Sequence, residues 1–72
     1  MEHVGEIIRY HRGEAGMTQE DLAHRAGISP SSLIGIETGD TRRPRTGTLT
    51  KIARALELDS RELSAGKVLA RL

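Results

Sequence analysis

Apolar residues recur at helical spacing in four stretches of the 72-residue chain. Within each stretch they are three or four positions apart, which is the pattern of a helix that buries one face. These positions are Val4, Ile7, Ile8 and His11; Leu22, Ala23 and Ala26; Leu33 and Ile36; and Leu49, Ile52, Ala53 and Leu56. No stretch alternates with a period of two over a useful length, so the pattern predicts helices and no sheet.

Residues typical of helix ends separate these stretches. Thr18 and Asp21 have the spacing of a capping box, in which each side chain bonds the other's backbone N–H. Ser29 has the character of an N-cap, and Pro30 suits the first helical position after it. Glycines follow the first three helices, as is common at helix C-termini. They are Gly16, Gly27 and Gly39.

A second capping-box pattern, Asp59 with Glu62, predicts a short fifth helix that runs through Leu63. The expected fold is therefore all-α, a compact bundle of five short helices that are stable only when packed together. We assign residues 1–64 to this domain. Residues 65–72 form a tail for which a linker, a further helix and a dimer contact are equally good interpretations.

Charge is distributed unevenly along the chain. The net charge is +1, with −2 on residues 1–36 and +3 on residues 37–72. The positive charge concentrates at Arg42, Arg43 and Arg45, in a segment whose Gly, Asp and Pro content predicts a loop. Such a cluster is either a solvated loop or a contact for a polyanion, and charge alone does not decide between them.

The composition argues against several functions. There is no cysteine, and His3, His11 and His24 are too far apart to share neighbouring turns, so we expect no metal site. The chain is short and has no Gly-rich phosphate cradle, so we expect neither an enzyme nor a cofactor, and no small-molecule site is visible. No apolar run reaches the length of a membrane span and the first residues lack a signal-peptide core, so a cytoplasmic protein is expected.

The second and third predicted helices, Gln19–Ala26 and Pro30–Thr38, are joined by a very short turn with a glycine, the skeleton of a helix-turn-helix. The segments "MTQEDLAHRAGISPSSLIGIETG", "TLTKIARALEL" and "DSREL" resemble the phage-repressor (Cro-like) helix-turn-helix domains of bacterial and phage transcription regulators. The similarity extends from about Val4 to Leu63. It implies a lambda-repressor-like fold that binds double-stranded DNA, with the second motif helix in the major groove.

The resemblance assigns base reading to Pro30, Ser31, Ser32, Ile34 and Gly35. None of them is an Arg, Gln or Asn, the residues that form bidentate contacts with guanine or adenine. The two serines offer short hydrogen bonds, Ile34 an apolar contact to a thymine methyl, and Gly35 a close backbone approach. We therefore expect these residues to recognise the DNA bases only weakly by direct contact.

The resemblance also assigns residues to the DNA backbone. Gln19 corresponds to a phosphate contact, and Arg12 to the partner of a salt bridge with Glu37. The loop arginines are expected on phosphates, with Arg45 near the minor groove. The full set is Arg12, Thr18, Gln19, Thr38, Arg42, Arg43 and Arg45.

Relatives of this type usually act as homodimers on two-fold sites, so we expect a homodimer on DNA in a bacterial or phage system, associated with the nucleoid. The alternative is a protein–protein interaction module on the same fold, with Pro30, Ile34 and Gly35 as its docking face. The three loop arginines favour DNA, because a docking surface does not need them.

Overall fold

The computed structural model describes residues 4–59, 61 and 63. This part of the chain contains four helices and no strand: α1 (Val4–Glu14), α2 (Gln19–Ala26), α3 (Pro30–Thr38) and α4 (Thr46–Leu56). The predicted all-α fold is confirmed. The bounds of α2 and α3 are those predicted for the two motif helices.

Four helices have bounds within the described residues, where five were predicted. After α4, Glu57 adopts the left-handed conformation and ends the helix. In the turn that follows, residues 61 and 63 are helical, and the Leu63 N–H donates to the Asp59 carbonyl at 3.0 Å and the Arg61 N–H to Asp59 Oδ1 at 2.8 Å, where the short fifth helix was predicted. Asp59 thus caps this turn, while residue 62, its expected partner, lies outside the described residues.

The assignment of residues 65–72 to a linker, helix or dimer contact also falls outside the described residues and stays a prediction. The same holds for residue 64, where we placed the end of the domain, and for residues 1–3.

One hydrophobic core joins the helices. α1 packs against α3, α2 packs against both α3 and α4, and α1 also contacts α4. Burying each Leu or Ile side chain contributes about 1.5–3 kcal/mol, which holds together helices that are too short to be stable alone. The core consists of Ile7, Ile8, Leu22, Ala23, Ala26, Leu33, Ile36, Leu49, Ile52, Ala53 and Leu63.

The predicted caps of α2 and α3 are confirmed. Thr18 Oγ1 accepts from the Asp21 N–H, and Asp21 Oδ2 accepts from the Thr18 N–H, both at 3.0 Å. Hydrogen bonds from the Thr18 backbone and side chain hold the pKa of Asp21 below its usual value, because they favour the ionised carboxylate. Ser29 Oγ accepts from the Ser32 N–H at 3.1 Å and so caps α3.

His11 differs from the apolar residues of its stripe. It is half-buried, its ring meets Tyr10 edge-on at 5.3 Å, and its Nε2 is buried without a hydrogen-bond partner among the described residues. A buried polar atom left unpaired costs about 1–3 kcal/mol.

We therefore expect His11→Leu to stabilise the fold by about 1–2 kcal/mol, because it removes that unpaired nitrogen and keeps the apolar volume. Urea denaturation followed by circular dichroism measures the change. His24→Leu on the exposed face of α2 is the control and should give no gain. A loss of stability in the His11 variant would show that the imidazole makes a favourable polar contact in solution.

Candidate nucleic-acid interface

The joint between α2 and α3 fixes the direction of α3. Only Gly27, Ile28 and Ser29 separate the two helices. Gly27 has φ 72°, a left-handed conformation in which a Cβ is strained, and the Ile28 N–H donates to the Ala23 carbonyl at 3.0 Å. Ala23 is fully buried, and its small side chain allows the chain to fold back closely on α2.

A buried carboxylate ties three elements together at the ends of α2 and α3 that are remote from this joint. Arg12 of α1 donates from Nε to Glu37 Oε2 at 2.8 Å and from Nη2 to Glu37 Oε1 at 3.1 Å. Its Nη1 donates to the Met17 carbonyl at 2.9 Å. The Glu37 side chain is 1% exposed. The salt bridge that the resemblance implied is therefore present, and it fixes α3 to α1.

Gln19 completes this network. Its Nε2 donates to Glu37 Oε1 at 3.0 Å, so the first residue of α2 is held against the last turn of α3. Thr18, just before it, is exposed and caps α2. Sequence reasoning assigned Gln19 to a phosphate and missed this contact, for which 18 residues of separation leave no local signal.

The outer face of α3 is small and neutral. Pro30, Ser31, Ser32 and Ile34 are all exposed, Ile34 at 42%. Ser32 Oγ accepts from Ser29 Oγ at 2.9 Å, so part of its hydrogen-bonding capacity is used within the cap. Ser31 and Ile34 remain directed to solvent with no such contact in the described structure.

Gly35 does not belong fully to this outer face. It is half-buried, and its carbonyl accepts from the Thr41 N–H at 2.9 Å and from Thr38 Oγ1 at 3.3 Å. A Cβ at position 35 would lie 2.9 Å from Thr41 Oγ1. A glycine inside a helical pattern often marks a close backbone approach. Here the approach is made by the loop.

The loop between α3 and α4 carries Arg42, Arg43 and Arg45, which are all exposed and make no ion pair with other described residues. Two shallow grooves separate these side chains from α3. One groove is lined by Val4, Thr38, Gly39, Thr41 and Arg42. The other is lined by Ser32, Ile36, Thr41, Arg43, Pro44, Arg45 and Thr48. Arg43 and Arg45 thus lie across a groove from the exposed Ser32, and Arg42 lies across one from the exposed Thr38.

The structure also bears on metal binding and membranes. Among the residues described, no three His, Asp or Glu side chains are grouped so as to hold a metal ion. None of the four helices is long and apolar enough to cross a membrane.

Comparison with known proteins gives consistent results. The helix-turn-helix family model matches residues 8–63. An uncharacterised HTH-type transcriptional regulator of Methanothermobacter thermautotrophicus is 44% identical over 50 residues, which are 69% of this chain and 71% of that protein. The HTH-type transcriptional repressor RghR of Bacillus subtilis is 36% identical over 58 residues, 81% of this chain and 43% of RghR.

The HTH-type transcriptional regulator SlrR of Bacillus subtilis is 37% identical over 60 residues, 83% of this chain and 40% of SlrR. The chain thus spans less than half the length of these two Bacillus relatives. No solved structure matches the chain significantly. The match to the family covers both motif helices, the arginine loop and α4, and the chain belongs to the Cro/C1-type helix-turn-helix family of DNA-binding transcriptional regulators.

Proposed function

We propose that this chain is the double-stranded-DNA-binding part of a transcription regulator, with α3 in the major groove and the arginine loop on phosphates. One observation carries the proposal: an exposed helix face of small, neutral side chains is followed by a loop whose three arginines have no acidic partner among the described residues and line grooves with Ser32 and Thr38. A helix with short side chains can lie close to the base edges, and guanidiniums beside it suit the phosphates that border the groove.

The proposed base readout is weak. Ser31 can make a single hydrogen bond to a base edge, and Ile34 can contact a thymine methyl group. Neither makes the bidentate contact that is worth about 1–3 kcal/mol of discrimination. We propose that the sequence preference is therefore shallow, and that Arg45 adds to it by sensing a narrow, A·T-rich minor groove.

The other residues predicted to contact the DNA backbone differ in how far their side chains are already engaged within the protein. Gln19 uses one of its two amide hydrogens on Glu37, so the other is available for a phosphate. Thr18 and Thr38 are exposed, one at the start of α2 and the other at the end of α3. Arg12 has Nε, Nη1 and Nη2 engaged within the protein, so we propose that it positions α3 and does not itself bind DNA.

Two-fold DNA sites would require two copies of this domain, and we propose a homodimer on DNA, acting in the cytoplasm.

The test is to measure, by fluorescence anisotropy over a salt series, the binding of the purified chain to a pool of random duplex DNA. We expect the logarithm of the affinity to fall linearly with the logarithm of salt concentration, by about 0.9 per phosphate contact. Sequencing of the bound pool should return a shallow consensus. Absence of binding at low salt would refute the proposal and favour the protein-docking alternative on the Pro30–Gly35 face.

A further inference from the structure

The four helices do not all end in the same way. Each is followed by a residue in the left-handed conformation, with φ between 59° and 91°. In α1, α2 and α4 this residue donates its N–H three positions back, and the next residue donates five positions back, as in a Schellman motif. The second bonds are Met17 to the Arg12 carbonyl, Ile28 to Ala23 and Leu58 to Ala53, at 3.1, 3.0 and 2.8 Å.

The end of α3 departs from this pattern by one residue. Gly39 donates to the Ile36 carbonyl at 3.3 Å, as expected, but the second bond comes from Thr41 and not from Asp40. It joins the Thr41 N–H to the Gly35 carbonyl at 2.9 Å. The additional residue brings Thr41 back over α3, immediately before the first loop arginine.

The side chains at this contact approach closely because position 35 has no Cβ. A Cβ there would lie 2.9 Å from Thr41 Oγ1 and 3.9 Å from Thr41 Cβ. The first distance is closer than real Cβ contacts allow, whereas the second is ordinary van der Waals contact. The hydroxyl of Thr41 is thus the atom that a Cβ at position 35 would displace.

Thr41 also lies between the two sets of arginines. It lines the groove that contains Arg42 and the groove that contains Arg43 and Arg45. A displacement of Thr41 from α3 would therefore move the loop on both sides of it.

We infer that Gly35 and Thr41 form the docking contact that sets the position of the arginine loop, which carries Arg42, Arg43 and Arg45, relative to α3. Both are positioning residues: Gly35 acts through Thr41 and does not itself read a base. The inference rests on the proposed function for its DNA readout, because the loop position then fixes where phosphates lie relative to the bases that meet α3.

The test is a double-mutant cycle of Gly35→Ala and Thr41→Ala. Gly35→Ala should displace the loop and weaken binding to a random duplex pool by about tenfold, a coupling within the range of contacting residues. Thr41→Ala should change affinity by less than about twofold, since the backbone bond remains and Oγ1 is lost. The double variant should regain most of the affinity, because the remaining Cβ atoms are in ordinary contact.

Gly13→Ala is the matched control. Gly13 lies within α1, and a Cβ added there meets no atom within 4 Å. It reports what replacing a helical glycine does to thermal stability without touching the loop. We expect Gly35→Ala and Gly13→Ala both to keep the fold, so that only Gly35→Ala changes affinity and the salt dependence.

A second measurement works without DNA. The backbone amide chemical shifts and hydrogen-exchange protection of Thr41 and Arg42 report loop docking directly. Shifts of these amides that Gly35→Ala causes in the parent chain, and does not cause when added to Thr41→Ala, support the inference even if the chain bound no DNA, in which case only the proposed function would fail. Unchanged amides in Gly35→Ala, with Thr41 simply rotating about χ1, would overturn it. An affinity loss that Thr41→Ala does not restore would also overturn it, because Gly35 would then meet DNA itself.

Discussion

Replacing Arg12 with alanine is expected to lower the free energy of unfolding by about 3–5 kcal/mol, because it leaves the Glu37 carboxylate buried without its cation. The Glu37 side chain is 1% exposed, so water cannot substitute for the lost guanidinium. Gln19 would remain as a single neutral donor at 3.0 Å. A domain of 72 residues has a total stability of only about 4–11 kcal/mol, so much of the folded population would be lost.

Urea denaturation followed by circular dichroism tests this expectation. Arg9→Ala is the matched control, since it removes an exposed arginine from the same helix and should change stability by no more than about 0.5 kcal/mol. The double variant Arg12→Met/Glu37→Leu should recover most of the loss, because it removes both charges together. If Arg12→Ala cost less than about 1 kcal/mol, the pair would be behaving as a solvated surface ion pair, contrary to its burial.

Removing Arg42 and Arg43 together is expected to have the largest effect on DNA affinity. Each arginine that contacts a phosphate releases a counterion, so the salt slope should become shallower by about one unit per arginine. A charge-assisted hydrogen bond is worth about 1.5–3 kcal/mol, which corresponds to a loss of at least roughly tenfold for each side chain at low salt. The loss should be the same for all duplex sequences, because phosphates carry no sequence information.

The measurement is anisotropy with several unrelated duplexes over a salt series, using Arg42→Ala/Arg43→Ala. Arg54→Ala serves as control, since it removes the same charge from the last turn of α4, at the opposite end of that helix from the loop. Both arginines are exposed and unpaired in the described structure, so thermal stability should stay within about 0.5 kcal/mol of the parent. An unchanged salt slope would show that the loop does not touch phosphates.

These two predictions assign different tasks to arginines that sequence reasoning placed in one set. Arg12 is engaged on three of its nitrogens within the protein, whereas the loop arginines have no acidic partner in the described residues. The distinction is one of burial and partners, and the residue type does not contain it. It determines whether a substitution is read out as unfolding or as loss of salt-dependent binding.

The candidate site could be predicted from the sequence only in part. The exposed positions Ser31 and Ile34 follow from the helical period, because Leu33 and Ile36 fix the buried face. The pairing of Arg12 with Glu37 followed from the family resemblance and is present in the structure. The assignment of a neutral helix face and an adjacent basic loop to DNA remains a proposal that the binding experiments test.

The sequence by itself determined the bounds of α2 and α3, the caps at Thr18 and Ser29 and the turn at Gly27, since these depend on hydrogen bonds and side chains within a few residues of each other. The tertiary structure decided two contacts: that of Gln19 with Glu37, and that of Thr41 with Gly35, which places the arginine loop against α3. Those contacts form only when particular helix faces meet in space, and a helical period records which face is buried without recording what it is buried against.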